Sequence, residues 1–93
     1  MNPAERWQEV VDLLPRWASV DSREHTAHMS GVHSSMDVTM YPDGSSYLLW
    51  VNRKLVGTTV HAQTASDRVG DWLDREHTAD VARMLASGQA RLA

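Results

Sequence analysis

The residues with the most chemistry to offer are five histidines in a chain of 93 that has no cysteine. His25 and His28 stand three apart, a spacing that points both rings the same way on a helix. Together with His33 or Glu24 they could ligate zinc or nickel, since neutral imidazole suits both metals. Without thiolates, a zinc site here would draw on His and carboxylates alone. No His-Glu-x-x-His pattern is present, and the plainer reading of the segment is a polar connector that happens to be rich in histidine. The expectation is no metal and no cofactor, with His25, His28 and His33 as the residues to inspect first.

Nucleophilic catalysis needs a nucleophile, a base and an orienting group within reach of one another. Ser, His and Asp are plentiful, but the sequence places them in no recognisable order. There is no Gly-x-Ser-x-Gly elbow and no phosphate-cradling loop. The expectation is a non-enzymatic protein.

The elements that would position these groups are organised around residues 36–61. This stretch reads as three strands, 36–41, 46–51 and 55–61, joined by two tight turns. Side chains of a strand alternate between faces, so Met36, Val38 and Met40 share one face. Pro42-Asp43-Gly44-Ser45 supplies hairpin chemistry. With Asp43-Gly44 as the loop, Met40 faces Tyr47, Val38 faces Leu49 and Met36 faces Val51, which puts six apolar side chains on one inner face. The second turn is Asn52-Arg53 or Arg53-Lys54, and either choice adds Val56, Thr58 and Val60 to that face. With Arg53-Lys54, Trp50 would sit opposite Gly57.

The outer face carries Tyr41, Leu48, Trp50, Gly57 and His61, besides Asp37, Thr39 and Thr59. One reading covers each side of the sheet with a helix or loop. The other leaves Trp50, Leu48 and Tyr41 as anchors of a partner surface, with Asp37, Asp43 and Arg53 as polar contacts, because aromatic residues are enriched at interfaces and exposed apolar patches carry meaning.

Before and after the sheet the chain reads as helix, giving an α+β fold: a three-stranded antiparallel meander packed against N- and C-terminal helices. Asn2-Pro3-Ala4-Glu5 is a capping pattern. Trp7, Val10, Val11, Leu14 and Trp17 follow on one helical face, for a helix over 3–18 that Pro15 ends or kinks. Residues 19–35 read as a His-rich connector, with Asp21 able to cap a short helix that Gly31 ends. Thr64 caps a helix with Ala65, Val69, Trp72 and Leu73 inward, and Gly70 in its middle suggests close packing. A break near His77-Thr78 would separate a last helix with Val81, Ala82 and Leu85 inward, ended by Gly88, within 65–87; residues 89–93 are expected to fray. Arg-Glu-His-Thr-Ala occurs twice, at 23–27 and 75–79. The plain reading is one helix-start signal used twice; a shared functional role is the alternative.

The totals suit one small domain. Nine Lys plus Arg stand against twelve Asp plus Glu, a formal charge of −3. No basic stripe of the nucleic-acid-binding kind is visible. No apolar run approaches the roughly 20 residues of a membrane span, and the N-terminus lacks a signal-peptide pattern, so a cytoplasmic home is expected. Arginine over lysine, with much Ala, Val and Asp, suggests a GC-rich bacterial or phage genome.

Three resemblances bear on function. A three-stranded sheet followed by a helix, with Tyr41-Pro42-Asp43-Gly44 and Trp72-Leu73, resembles the arm-type, AP2-like domains of phage integrases, whose sheet enters the DNA major groove. This chain departs from them in its few outer-face cations, its longer stretch before Trp72-Leu73 and its N-terminal helix. The helix–three-strand–helix order is similar to double-stranded RNA-binding domains, but Ala65-Ser66-Asp67 stands where they carry a basic cluster. Asp-Val-Ala-Arg-Met-Leu at 80–85 is similar to a first helix of helix-turn-helix proteins, with no second helix after it. Phosphate contacts need cations, so the expectation is a protein-binding module. A phage- or mobile-element-encoded inhibitor or accessory factor that occludes a host protein through the outer face fits this reading, and homodimerisation is a second use of the same patch. A DNA-binding module is the alternative.

Overall fold

The computed structural model describes residues 2–88. It is an α+β fold in which a five-stranded antiparallel sheet carries two helices. The elements run α1 (Pro3–Val11), β1 (Ser19–Asp21), β2 (Thr26–Ser30), β3 (Ser35–Met40), β4 (Tyr47–Val51), β5 (Lys54–Thr59) and α2 (Ala62–Ala86). The strands neighbour one another in chain order. Among the described residues no helix is long and apolar enough to cross a membrane.

The central hairpin has the expected register: Met40 pairs with Tyr47, Val38 with Leu49 and Met36 with Val51. Gly44 holds a φ of +77° in the turn, and its N–H donates to the Tyr41 carbonyl at 2.9 Å. A Cβ there would also meet the Pro3 backbone at 3.1 Å, so glycine lets α1 start against this turn.

The connector over 19–35 is two strands instead of a linker with a short helix. Ala27 and Met29 are buried while Thr26, His28 and Ser30 face away, a period of two. Asp21 does bond the N–H groups of Arg23 and Glu24, at 3.0 and 3.2 Å. It shapes a hairpin turn in which His25 takes a φ of 51°, not a helix start. The two Arg-Glu-His-Thr-Ala copies therefore share no conformation: the first is turn and strand, the second lies inside α2.

α1 is capped as expected, with the Asn2 side chain accepting from the Glu5 N–H at 2.9 Å. It ends at Val11, well short of residue 18. Leu14 is still buried, whereas Trp17 is 56% exposed and outside the core.

α2 is one helix of 25 residues. The expected break at His77-Thr78 does not occur, because neither residue removes a backbone donor or forces a turn and Thr78 is simply absorbed. The helix also starts before Thr64, with His61 as its cap residue. Ala65, Val69 and Trp72 are buried as expected, but Val81, Ala82 and Leu85 are exposed because α2 outruns the sheet. A Cβ on Gly70 would meet nothing within 4 Å, so the close packing expected there is absent. Gly88, with a φ of 73°, follows the helix end. The expected fraying of 89–93 lies outside the described residues.

The second turn is Asn52-Arg53, both at positive φ (50° and 67°), the signature of a two-residue type I′ hairpin. A bulge then shifts the register between Leu49 and Trp50. Trp50 pairs with Leu55, Leu49 with Gly57, Leu48 with Thr58 and Tyr47 with Thr59. Trp50 is thus not opposite Gly57. Thr58 faces outward and Thr59 inward, the reverse of expectation, and Val60 lies beyond the strand. The extra residue, Val56, accounts for the reversal.

One buried cluster holds the fold together. Trp7, Val10 and Leu14 from the N-terminal segment and Ala65, Val69 and Trp72 from α2 pack on Ala27, Met29, Met36, Val38, Met40, Tyr47 and Leu49. Both helices therefore cover the same side of the sheet. The Trp7 indole stacks on the His25 ring at 5.6 Å and donates to Ser22 Oγ at 3.1 Å.

Candidate functional site

With both helices on the inner face, no helix covers the outer face among the described residues. Cross-strand pairing lines up its residues. His28 stands opposite Asp37, Asp37 opposite Trp50, and Trp50 opposite Leu55. Four strands thus contribute one row running across the sheet.

Trp50 is half-buried, and its indole N–H donates to Thr39 Oγ1 at 2.8 Å. That bond satisfies the polar edge of the ring and holds its plane, so the exposed remainder is apolar surface at fixed orientation. His28, Asp37, Trp50 and Arg53 line a shallow depression of about 470 Å³. Leu48 is half-buried beside Thr39, while Tyr41 and Leu55 are about half exposed.

The structure brings Trp50, Asp37 and Arg53 together, three of the residues expected on sequence grounds. Tyr41 and Asp43 lie at the β3–β4 turn, the far end of the sheet from Arg53 in the β4–β5 turn. Asp43 is engaged within its own turn. The hydroxyl and backbone N–H of Ser45 hold its carboxyl below the ordinary range, the N–H donating at 2.9 Å.

The histidines are dispersed. His25 is stacked on Trp7, His28 is on the outer face, and the His33 backbone N–H donates to Glu76 Oε2 at 3.0 Å. Among the described residues no three His, Asp or Glu side chains gather where they could hold a metal ion. The i, i+3 argument for His25 and His28 fails because the pair spans a turn and a strand.

His28 is the residue sequence reasoning placed wrongly. Its Nδ1 lies 2.7 Å from Asp37 Oδ1 and its Nε2 lies 2.9 Å from Ser30 Oγ. The order hydroxyl–imidazole–carboxylate is that of a nucleophile, a base and an orienting group. Acyl transfer further needs donors aimed at a developing oxyanion in a water-poor site. The N–H immediately after Ser30, that of Gly31, donates to the Ser34 carbonyl at 2.8 Å. The His28 side chain is 49% exposed on an open face. The arrangement fixes the imidazole as a polar contact beside Trp50, with one nitrogen on a carboxylate and one on a hydroxyl. The alternation of Ala27 and Met29 with Thr26, His28 and Ser30 is the sequence signal that could have found it.

A second polar cluster lies at the β2–β3 turn, just past Ser30. Trp72 Nε1 donates to Ser34 Oγ at 2.7 Å, and Ser34 Oγ donates to Glu76 Oε1 at 2.5 Å. The Ser34 hydroxyl, with help from the His33 and Ser34 backbones, holds the Glu76 carboxyl below the usual range. Gly31 leaves room for this carboxylate, since a Cβ there would fall 2.5 Å from Glu76 Cδ. The cluster ties the β2–β3 turn to α2.

No protein-family model, no curated protein and no solved structure matches this chain.

Proposed function

We propose that this chain is a non-enzymatic protein-binding module whose contact surface is the bare outer face of the sheet. The observation that carries the reading is Trp50. Its ring is held in place by Thr39 and flanked by Leu48, Leu55, Asp37, His28 and Arg53, with no helix over it among the described residues. A fixed aromatic among polar groups that can each pair once is the composition of a protein interface centre. Arg53 and Asp37 give a partner one donor fork and one acceptor. The acid–base residues beside them are solvated, which favours recognition over catalysis. A phage- or mobile-element-encoded inhibitor that occludes a host protein is one form such a module takes, and a homodimer through the same face is another.

DNA binding is the second reading. A bare antiparallel sheet is the surface that arm-type domains lay in the major groove, and this chain has one. Against it, the depression around Trp50 has one permanent cation, Arg53, beside one carboxylate, and phosphate contacts need several cations.

The test compares wild type with Trp50→Ala. Sedimentation would report self-association, and immobilised protein would be offered lysate of the encoding cell. Loss of a stoichiometric partner, or of the dimer, in Trp50→Ala with the circular dichroism unchanged supports the reading. Retention on duplex DNA that weakens steeply with salt, or identical mass and capture for both proteins, overturns it.

A further inference from the structure

The inner side of the sheet is not covered all the way to its β5 edge. Past the bulge, the inward positions of β5 are Gly57 and Thr59, opposite Leu49 and Tyr47. A Cβ on Gly57 would meet only Leu49 Cδ1, at 3.9 Å. Between this part of the sheet and α2 lies a groove of about 430 Å³, to which β5 contributes Val56. That lies within the range of about 300–1,000 Å³ usual for small-molecule sites.

The groove is two-sided in its chemistry. Met36, Leu49, Val51 and Val56 form an apolar floor on the sheet side. Arg68, Asp71 and Arg75 form the rim on the helix side. Arg68 and Arg75 are seven residues apart on α2, about two turns and so on one face of the helix. Asp71 stands between them, yet among the described residues neither guanidinium has a carboxylate within 4.0 Å. Elsewhere α2 does pair its charges, as Arg83 does with Asp80 at 3.0 Å. Two unpaired guanidinium forks therefore face an apolar trough.

We infer that this groove binds a small amphipathic anion, a carboxylate with an unbranched aliphatic body. The hydrocarbon lies on Met36, Leu49, Val51 and Val56, and the carboxylate takes the guanidinium hydrogens of Arg68 and Arg75. A guanidinium fork matches the two oxygens of a carboxylate better than a point charge does. The apolar floor selects against small hydrophilic anions, which would leave it wet. The two arginines select against alkyl cations of the same length. The site lies on the other side of the sheet from Trp50 and does not depend on the protein-binding reading.

The experiment titrates full-length protein with hexanoate, octanoate and decanoate below their micelle concentrations. It follows the methyl resonances of Met36, Val51 and Val56 by NMR. Decylammonium and acetate serve as controls. Saturable shifts at these methyls are expected, with affinity rising about three- to fourfold per added methylene, as burial of each group implies. Arg68→Ala and Arg75→Ala should each weaken decanoate tenfold or more with no change in circular dichroism, and Val56→Asp should abolish binding. The three positions are solvent-exposed, so these variants remain folded. The proposal is overturned if decanoate causes no saturable shift. It is equally overturned if decylammonium binds as well as decanoate, or if both arginine variants bind like wild type. Trp50→Ala should leave every titration unchanged.

Discussion

Ser34→Ala removes the hydroxyl that ties the β2–β3 turn to α2 at both Trp72 and Glu76. Trp72 is 2% exposed, and its indole N–H has the Ser34 hydroxyl as acceptor at 2.7 Å. Removing that hydroxyl leaves a buried donor without a partner, which costs about 1–3 kcal/mol, whereas deleting both partners costs much less. Taking about 2 kcal/mol, a domain of this size should lose about 8–16 °C in Tm. Total stability for a chain this long is about 5–14 kcal/mol, so the variant stays folded and measurable. Urea unfolding followed by tryptophan fluorescence gives the number. The control is a double-mutant cycle: in a Trp72→Phe background the indole donor is gone, and Ser34→Ala should cost about 1 kcal/mol less than in wild type. A Ser34→Ala protein within about 0.5 kcal/mol of its parent in both backgrounds would refute the reasoning. The turn would then be held by its other bonds, Gly31 N–H to the Ser34 carbonyl and His33 N–H to Glu76 among them.

Two further predictions concern α2. Gly70→Ala should stabilise by about 0.5–1 kcal/mol, because Gly is a poor residue in a helix interior and the added methyl meets nothing within 4 Å; thermal unfolding reads it directly. The Glu76 carboxyl is held below its usual range chiefly by the Ser34 hydroxyl, so the folded state binds its proton more weakly than the unfolded state does. Its stabilisation is therefore fully present above the ordinary value of 4.5 and fades as pH falls through the lowered folded value. Urea midpoints measured from neutral pH down to about pH 3 should show Glu76→Gln less stable at neutral pH and converging on wild type in acid; two parallel curves would contradict it.

The repeated pentapeptide shows why some of this fold was legible and some was not. Arg-Glu-His-Thr-Ala at 75–79 lies inside a helix whose stripe of Ala65, Val69 and Trp72 is already buried upstream. The same five residues at 23–27 follow Asp21, whose carboxylate bonds two N–H groups and turns the chain, and they precede Met29, which buries on the sheet. Local preference was identical and tertiary burial decided. The central hairpin was legible because two independent signals agreed: a Pro-Asp-Gly turn, and six apolar side chains that share a face in only one register. β1 and β2 were not, because Ala27 and Met29 are only two apolar positions and the spacing of His25 and His28 imitates a helix. α2 was divided wrongly because Thr78, a residue suited to capping, sits where no cap is needed.

The β4–β5 pairing connects this failure of reading to both proposed sites. Continued from the Asn52-Arg53 turn without interruption, the ladder would set Val56 opposite Leu49 and Gly57 opposite Leu48. Val56 would then be an inward member of the ladder and not an unpaired residue, while the outer face would carry a glycine beside Leu48. The bulge adds one residue to β5 between the Trp50–Leu55 and Leu49–Gly57 pairs. Past it, every inward position becomes an outward one. Gly57 and Thr59 then take the inward ladder positions, and the bulged residue itself, Val56, lines the groove beneath Arg68 and Arg75. Before it, Leu55 keeps its place beside Trp50 and extends the bare face to the sheet edge. Nothing in the run Lys-Leu-Val-Gly-Thr-Thr announces a bulge except the glycine, and glycine also suits an aromatic neighbour across a strand pair. One inserted residue therefore both hid the register from the sequence and separated an aromatic face on one side of the sheet from a guanidinium-rimmed groove on the other.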